Sequence, residues 1–214
     1  MAKRPHVPST TLVLLVRHGQ TPTTGESLPG RAKGLHLADT GRAQAAAVVE
    51  RLGALTTIDA LYSSPLERAR ETAQPLAKAR GLPIRIDRGL LECEFGEWTG
   101  AKLRDLAKLP EWKTVQQYPS GFRFPGGESF SEMQTRIVDT LARLRTQHRG
   151  EVIVCVSHAD PIKAAVAHAM GTHLDLFQRI TISTCSVTAI SYGDSGPHVL
   201  TVNSMGDLSA LKPS

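Results

Sequence analysis

Thr11-Leu12-Val13-Leu14-Leu15-Val16-Arg17-His18-Gly19-Gln20-Thr21 runs from a short apolar, β-branched segment straight into a cation, an imidazole and a glycine. Such a run, bounded by polar residues, reads as a buried strand delivering its last residues to a sheet edge. The pattern returns at Val152-Ile153-Val154-Cys155-Val156-Ser157-His158-Ala159-Asp160, so a second strand carries a second histidine to an edge. Ile58 to Tyr62 and Ile84 to Ile86 are similar apolar runs.

Between these strands lie segments with helical punctuation. Thr40 is the expected N-cap of an Ala-rich helix that Gly53 stops. Ser64-Pro65 predicts an N-cap with proline at the first helical position, the helix closing at Gly81 and kinked or split at Pro75. Ser129 and Glu132 have the spacing of a capping box, and Met133, Ile137, Leu141 and Leu144 follow at helical spacing. Asp160-Pro161 opens a further helix that Gly171 closes, and Ser186 to Tyr192 and His198 to Asn203 alternate like a hairpin about Gly193-Asp194-Ser195-Gly196.

Strands alternating with helices predict an α/β fold, a three-layer α/β/α sandwich with a mainly parallel sheet and antiparallel edge strands. Ligands in such folds gather at the carboxyl ends of the strands. One domain over 1–214 is expected. Pro22 to Asp39 and Thr99 to Gly127 show little apolar period and are expected to be loops, with 99–127 a lid insertion over the site.

Composition narrows the field. With 41% hydrophobic and 21% charged residues among 214, the chain is not collagen-like, low-complexity or disordered. The apolar runs are far shorter than the ~18 residues of a membrane span. Lys3 and Arg4 precede an apolar stretch too short for a secretory h-region, so an intracellular, cytoplasmic protein is expected. Cys93, Cys155 and Cys185 are odd in number and widely spaced, which suggests reduced thiols in the core. The net charge of +5 comes without a basic run or interleaved aromatics, so nucleic acid is not an expected partner and a small anion is.

Alone, Arg17-His18-Gly19 is better read as a surface arginine and a satisfied loop histidine. His158, just before a helix N-terminus whose open N–H groups and dipole favour an anion, changes that balance. Ser63-Ser64-Pro65-Leu66-Glu67-Arg68 adds an arginine at a third strand-to-helix junction, while Arg70 suits the helix surface. Guanidinium forks match phosphate oxygens, and two of them define a phosphate pocket.

These segments together resemble the histidine phosphatase, or phosphoglycerate mutase-like, superfamily. The likeness is carried by Leu15-Val16-Arg17-His18-Gly19, by Ser63-Ser64-Pro65-Leu66 with Arg68-Ala69 and Glu71-Thr72, by Leu91-Glu92 with Gly96, Trp98 and Gly100, and by Val156-Ser157-His158. The resemblance implies His18 as a nucleophile forming a phosphohistidine, Arg17 and Arg68 as phosphoryl clamps, His158 completing the pocket and Glu92 as proton donor. Gly19, Thr21, Thr24 and Ala159 would line the substrate side. No metal or other cofactor is implied. Thr24 stands where many members carry asparagine, and Ala159 where glycine is common.

At a reference pKa near 6.5 an imidazole is mostly neutral at pH 7, whereas a carboxylate near 4.3 is not an acid there unless shifted; Phe95 and Trp98 are candidates to desolvate Glu92. Glu94 and Glu97 are the rival carboxylates, otherwise solvated. Gly126-Gly127-Glu128-Ser129 is read equally as a family segment or as a turn with a helix cap. The expected activity is hydrolysis of a small phosphomonoester. Alternatives are mutase-type phosphoryl transfer and a non-catalytic phosphate-binding module. Oligomeric state is not legible.

Overall fold

The computed structural model describes residues 10–211, so Lys3 and Arg4 lie outside the described residues. Strands β1 (Thr11–Arg17), β2 (Ala60–Ser63), β3 (Ile84–Ile86), β4 (Val152–Ser157), β5 (Val187–Gly193) and β6 (Gly196–Ser204) form one sheet in the order β3-β2-β4-β1-β5-β6. The first four in that order run parallel; β5 is antiparallel to β1, and β6 to β5. Helices are α1 (Asp39–Leu52), α2 (Glu67–Arg80), α3 (Leu103–Leu106), α4 (Pro110–Gln117), α5 (Phe130–Gln147) and α6 (Ala159–Ala169). Among the described residues no helix is long and apolar enough to cross a membrane.

The period of two along β1 divides the core. Leu12, Leu14 and Val16 pack with Val48 and Leu52 of α1 and Ala69, Ala73 and Leu76 of α2. Val13 and Leu15 join Met133, Ile137 and Leu141 of α5 and Ile162 and Val166 of α6 on the other face. A strand buried on both sides must be apolar throughout, which is why β1 and β4 read as uninterrupted runs. The capping box of α5 is present, with Ser129 Oγ accepting from Glu132 N and Glu132 Oε2 accepting from Ser129 N.

Three helix starts differ from expectation. The α1 N-cap is Ala38, without a side-chain cap, and Thr40 lies inside the helix. Its approach is fixed from outside, by Glu71 Oε2 accepting from Leu37 N at 2.8 Å. α2 begins at Glu67 rather than at Pro65, because Ser64-Pro65-Leu66 stays extended and the Ser64 hydroxyl turns to His158. Pro75 does not split α2, which continues to a left-handed Gly81; burial of Ala69, Ala73 and Leu76 outweighs the missing N–H. α6 starts at Ala159, one residue before the predicted pair.

The segment 99–127 is not a structureless loop. It holds α3, α4 and a 3-10 turn at Pro119–Gly121, and it sends Val115, Phe122 and Phe124 into the core. Ring contacts explain this: Phe124 stacks edge-on against Phe95, Trp98, Phe122 and Phe130 at 4.8–5.4 Å. Aromatic burial replaces the regular apolar period that the segment lacks.

The irregular stretch around residues 88–98 is held by side chains. Arg136 of α5 donates to the carbonyls of Gly89, Leu91 and Glu92 and pairs with Glu128 at 2.8 Å. Arg31 donates to the same Glu92 carbonyl and pairs with Glu128 and Glu94. Two guanidiniums therefore clamp one backbone oxygen, with Glu128 between them. Glu94 is accordingly part of an ion network, while Glu97 is exposed as expected.

Replacing Arg136 by Ala should lower stability by about 2–4 kcal/mol, since it strips the Gly89 and Leu91 carbonyls of their donor and leaves Glu128 and the Glu92 carbonyl to Arg31 alone in a poorly solvated place. Arg123→Ala, removing a solvent-exposed pair with Glu132, should cost far less. Urea titration of both variants checks the contrast. Gly41→Ala offers a test of sign. Within a helix alanine is favoured over glycine by roughly 1 kcal/mol, yet here the added Cβ would stand 2.0 Å from the Gln20 carbonyl oxygen. The expected outcome is destabilisation, and a more stable variant would contradict the packing.

Candidate active site

Parallel pairing of β1 with β4 sets Arg17 opposite Ser157. Each strand's next residue is a histidine, and His18 N donates to the Ser157 carbonyl at 3.0 Å. The two imidazoles thus meet at the carboxyl edge, ring centroids 5.1 Å apart. Arg68, in the first turn of α2, is fully buried there, and Glu92 is 8% exposed.

The turn after β1 is shaped by contact with α1. A Cβ at Gly19 would lie 2.6 Å from the Gly41 carbonyl oxygen, so both glycines are required for the close approach. Gly19 N donates to Thr72 Oγ1, which donates onward to the Arg68 carbonyl. The His18 turn and the arginine-bearing helix are thereby joined. Thr21 and Thr24 are engaged with one another: Thr21 N donates to Thr24 Oγ1 at 2.9 Å, and the two hydroxyls lie 3.0 Å apart. In this arrangement Thr24 shapes the turn. Ala159 opens α6, where a helix start leaves backbone N–H groups unpaired.

His18 Nδ1 lies 2.7 Å from the Gly19 carbonyl oxygen. A carbonyl only accepts, so Nδ1 carries the proton and Nε2 the lone pair. His158 Nε2 is 2.9 Å from Ser64 Oγ. One N–H of Arg17 reaches the Ile182 carbonyl and one of Arg68 the Gly30 carbonyl, each at 2.7 Å. Arg17 Nε, Arg68 Nε and Nη1, and His158 Nδ1 are buried with no hydrogen-bond partner among the described residues. Buried polar atoms are nearly always bonded, so this concentration marks a place built for an acceptor-rich anion.

Burial, then the charges of Arg68 and Arg17, holds His18 well below the ordinary histidine range. His158 is lowered likewise, by burial first and then by Arg68. Glu92 moves the other way. Burial, followed by the charge of Asp160, raises it to about 7 against the opposing pull of the Cys93 N–H, Arg68 and Arg17. The site can therefore hold a neutral, nucleophilic imidazole beside a carboxyl group protonated near neutrality. Cys155 is buried in β4 with its thiol pushed far upward by desolvation, which suits packing.

Sequence reading missed four contributors. Ser64 stood inside a quoted motif, yet its contact with His158 needs the β2–β4 pairing. Ile182, which holds Arg17 by a backbone carbonyl, left no signature in residue type. Arg31 and Arg136 were invisible because their target is the backbone of Glu92, which has no code.

Comparison with known proteins agrees with this geometry. The model of the histidine phosphatase superfamily, branch 1, matches residues 13–205. Phosphoserine phosphatase 1 of Hydrogenobacter thermophilus is 29% identical over 197 residues, covering 89% of this chain and 91% of that protein. Bifunctional protein Rv2228c of Mycobacterium tuberculosis is 31% identical over 200 residues, 92% of this chain, but the chain spans only 55% of that relative's length. A crystal structure of a phosphoserine phosphatase mutant from Entamoeba histolytica in complex with phosphoserine superposes with a TM-score of 0.83 at 26% identity, covering 92% of this chain and 99% of that one. The fold, the paired histidines at one sheet edge and a match across nearly the whole described chain together make this protein a member of the histidine phosphatase superfamily.

Proposed function

We propose that this chain is a phosphomonoesterase that hydrolyses a small phosphorylated metabolite through a phosphohistidine at His18. The observation that carries this reading is the set of unpartnered buried donors from Arg17, Arg68 and His158 around an imidazole held neutral. Phosphatase relatives acting on small phosphoesters support it. Its three free, buried cysteines fit a reducing compartment such as the cytoplasm.

In the first step the Nε2 lone pair of His18 forms a bond to phosphorus while the ester P–O bond breaks. The Gly19 carbonyl keeps the proton on Nδ1 and stabilises the cationic phosphoimidazole. Arg17, Arg68 and His158 donate to the non-bridging oxygens, whose charge they meet in a dry, preorganised pocket. Glu92 gives its proton to the departing alcohol oxygen. In the second step water attacks phosphorus, Glu92 takes the water proton, and the N–P electron pair returns to His18. Segment 99–127 serves as the lid that excludes bulk water.

His18→Ala should reduce turnover by on the order of 10³-fold or more. Rapid acid-free quenching of the native protein on a labelled ester should trap an alkali-stable, acid-labile adduct on His18; unchanged turnover in the variant would refute the mechanism. With 3-phosphoglycerate, phosphate release should exceed isomerisation whether or not bisphosphoglycerate is added.

Glu92→Gln should slow an alkyl phosphate about 10²–10⁴-fold but an activated aryl phosphate less than about tenfold, because a phenolate needs little protonation. The pH profile follows from the raised carboxyl. Its acid form predominates below about 7 and is lost above, so kcat/KM for the alkyl ester falls as pH rises through about 7. The activated aryl ester, a dianion above neutrality like the alkyl ester, should lack that limb. No acid limb from His18 should appear near 6.5, since its pKa lies well below.

A further inference from the structure

A cavity of about 140 Å³ is walled by Leu28, Phe95, Val115 and Phe124, with Gln116, Asp160 and Gln178 as its polar part. It is assembled from the turn after β1, the stretch following Glu92, α4 of the lid segment and the first turn of α6. Phe95 follows Glu92 by three residues, and Asp160 is the charge that most strongly opposes ionisation of Glu92.

The volume and lining specify an occupant. An apolar cavity of about 150 Å³ accommodates one benzene-sized group. Two of its polar groups are matched within the protein: Lys163 Nζ lies 3.2 Å from Asp160 Oδ1 and 3.0 Å from Gln178 Oε1, and sits over the Phe177 ring. None of the described residues lining the cavity is cationic, and with Lys163 held by Asp160 and Gln178 a second anionic group would find no free counter-charge there.

Resting on the hydrolase reading above, we infer that this cavity is a leaving-group subsite for an uncharged apolar group of single-ring size. The preferred esters are then phosphates of alcohols bearing a compact ring or branched aliphatic group, and carboxylate-bearing esters are discriminated against. The lid segment has a second role in this arrangement, because α4 supplies the wall that selects the alcohol.

Benzyl and ethyl phosphate both release poor alkoxide leaving groups, so their ratio reads binding of the ring rather than leaving-group chemistry. The native protein should favour benzyl phosphate by tenfold or more in kcat/KM. Filling the cavity with Val115→Phe should collapse that ratio towards one. Gln116→Trp, at an exposed position on the same cavity, decides the matter should Val115→Phe fail to fold. Asp160→Asn should raise kcat/KM for 3-phosphoglycerate relative to benzyl phosphate at least fivefold, since it frees Lys163 from its carboxylate partner to meet a second anionic group. A native benzyl-to-ethyl ratio near one, or a ratio unmoved in folded cavity variants, would overturn the subsite and leave the hydrolase reading standing. Failure to hydrolyse benzyl, ethyl or aryl phosphate would overturn both.

Discussion

The parallel register that pairs Arg17 with Ser157 is the constraint on which the rest depends. Hydrogen bonds between β1 and β4 bring two residues, 140 positions apart in the chain, to adjacent points on one edge. A shift by one residue would send both imidazoles to opposite faces of the sheet, because side chains alternate with a period of two. Apolar burial on both faces makes such a shift costly, so the core that stabilises the sheet also fixes the relative placement of the two histidines.

Around that edge the electrostatics are deliberately unbalanced. Two guanidiniums and an imidazole face inward, and Glu92 is kept from ionising freely by burial and by Asp160. A fully buried arginine with two unpaired donors is unfavourable in the protein alone. Thr72, the Gly30 carbonyl and the tightly fitted Gly19 and Gly41 hold the arrangement in place. An anion placed there would relieve the imbalance, so the electrostatics of the protein alone favour an acceptor-rich anionic group at this edge.

Much of this was legible from residue order, and the reasons are specific. His18 and His158 stand directly after uninterrupted apolar runs, where a parallel sheet places ligand-binding residues. Arg68 stood out at a third strand-to-helix junction and Glu92 only through the family resemblance; both side chains are buried. The capping box of α5 is a local device and was readable as such. By contrast, α1 and α2 begin where long-range contacts from Glu71 and His158 dictate, so Thr40 and Ser64-Pro65 misled. The lid segment escaped because its order comes from rings meeting across distant turns. The Arg31–Glu128–Arg136 cluster escaped because it grips main-chain oxygens.

The anchoring of Arg17 has a temporal side. Its guanidinium rests on the Ile182 carbonyl, its own carbonyl accepts from Cys185 N, and Arg51 ties Cys185 to Ser204 at the end of β6. During synthesis the N-terminal strand emerges first, yet the support for its last side chain is translated more than 160 residues later. On the ribosome the Arg17 guanidinium therefore lacks its support until residues 182–204 have been made, and the side chain at the end of β1 is set in place only after β5 and β6 have followed it.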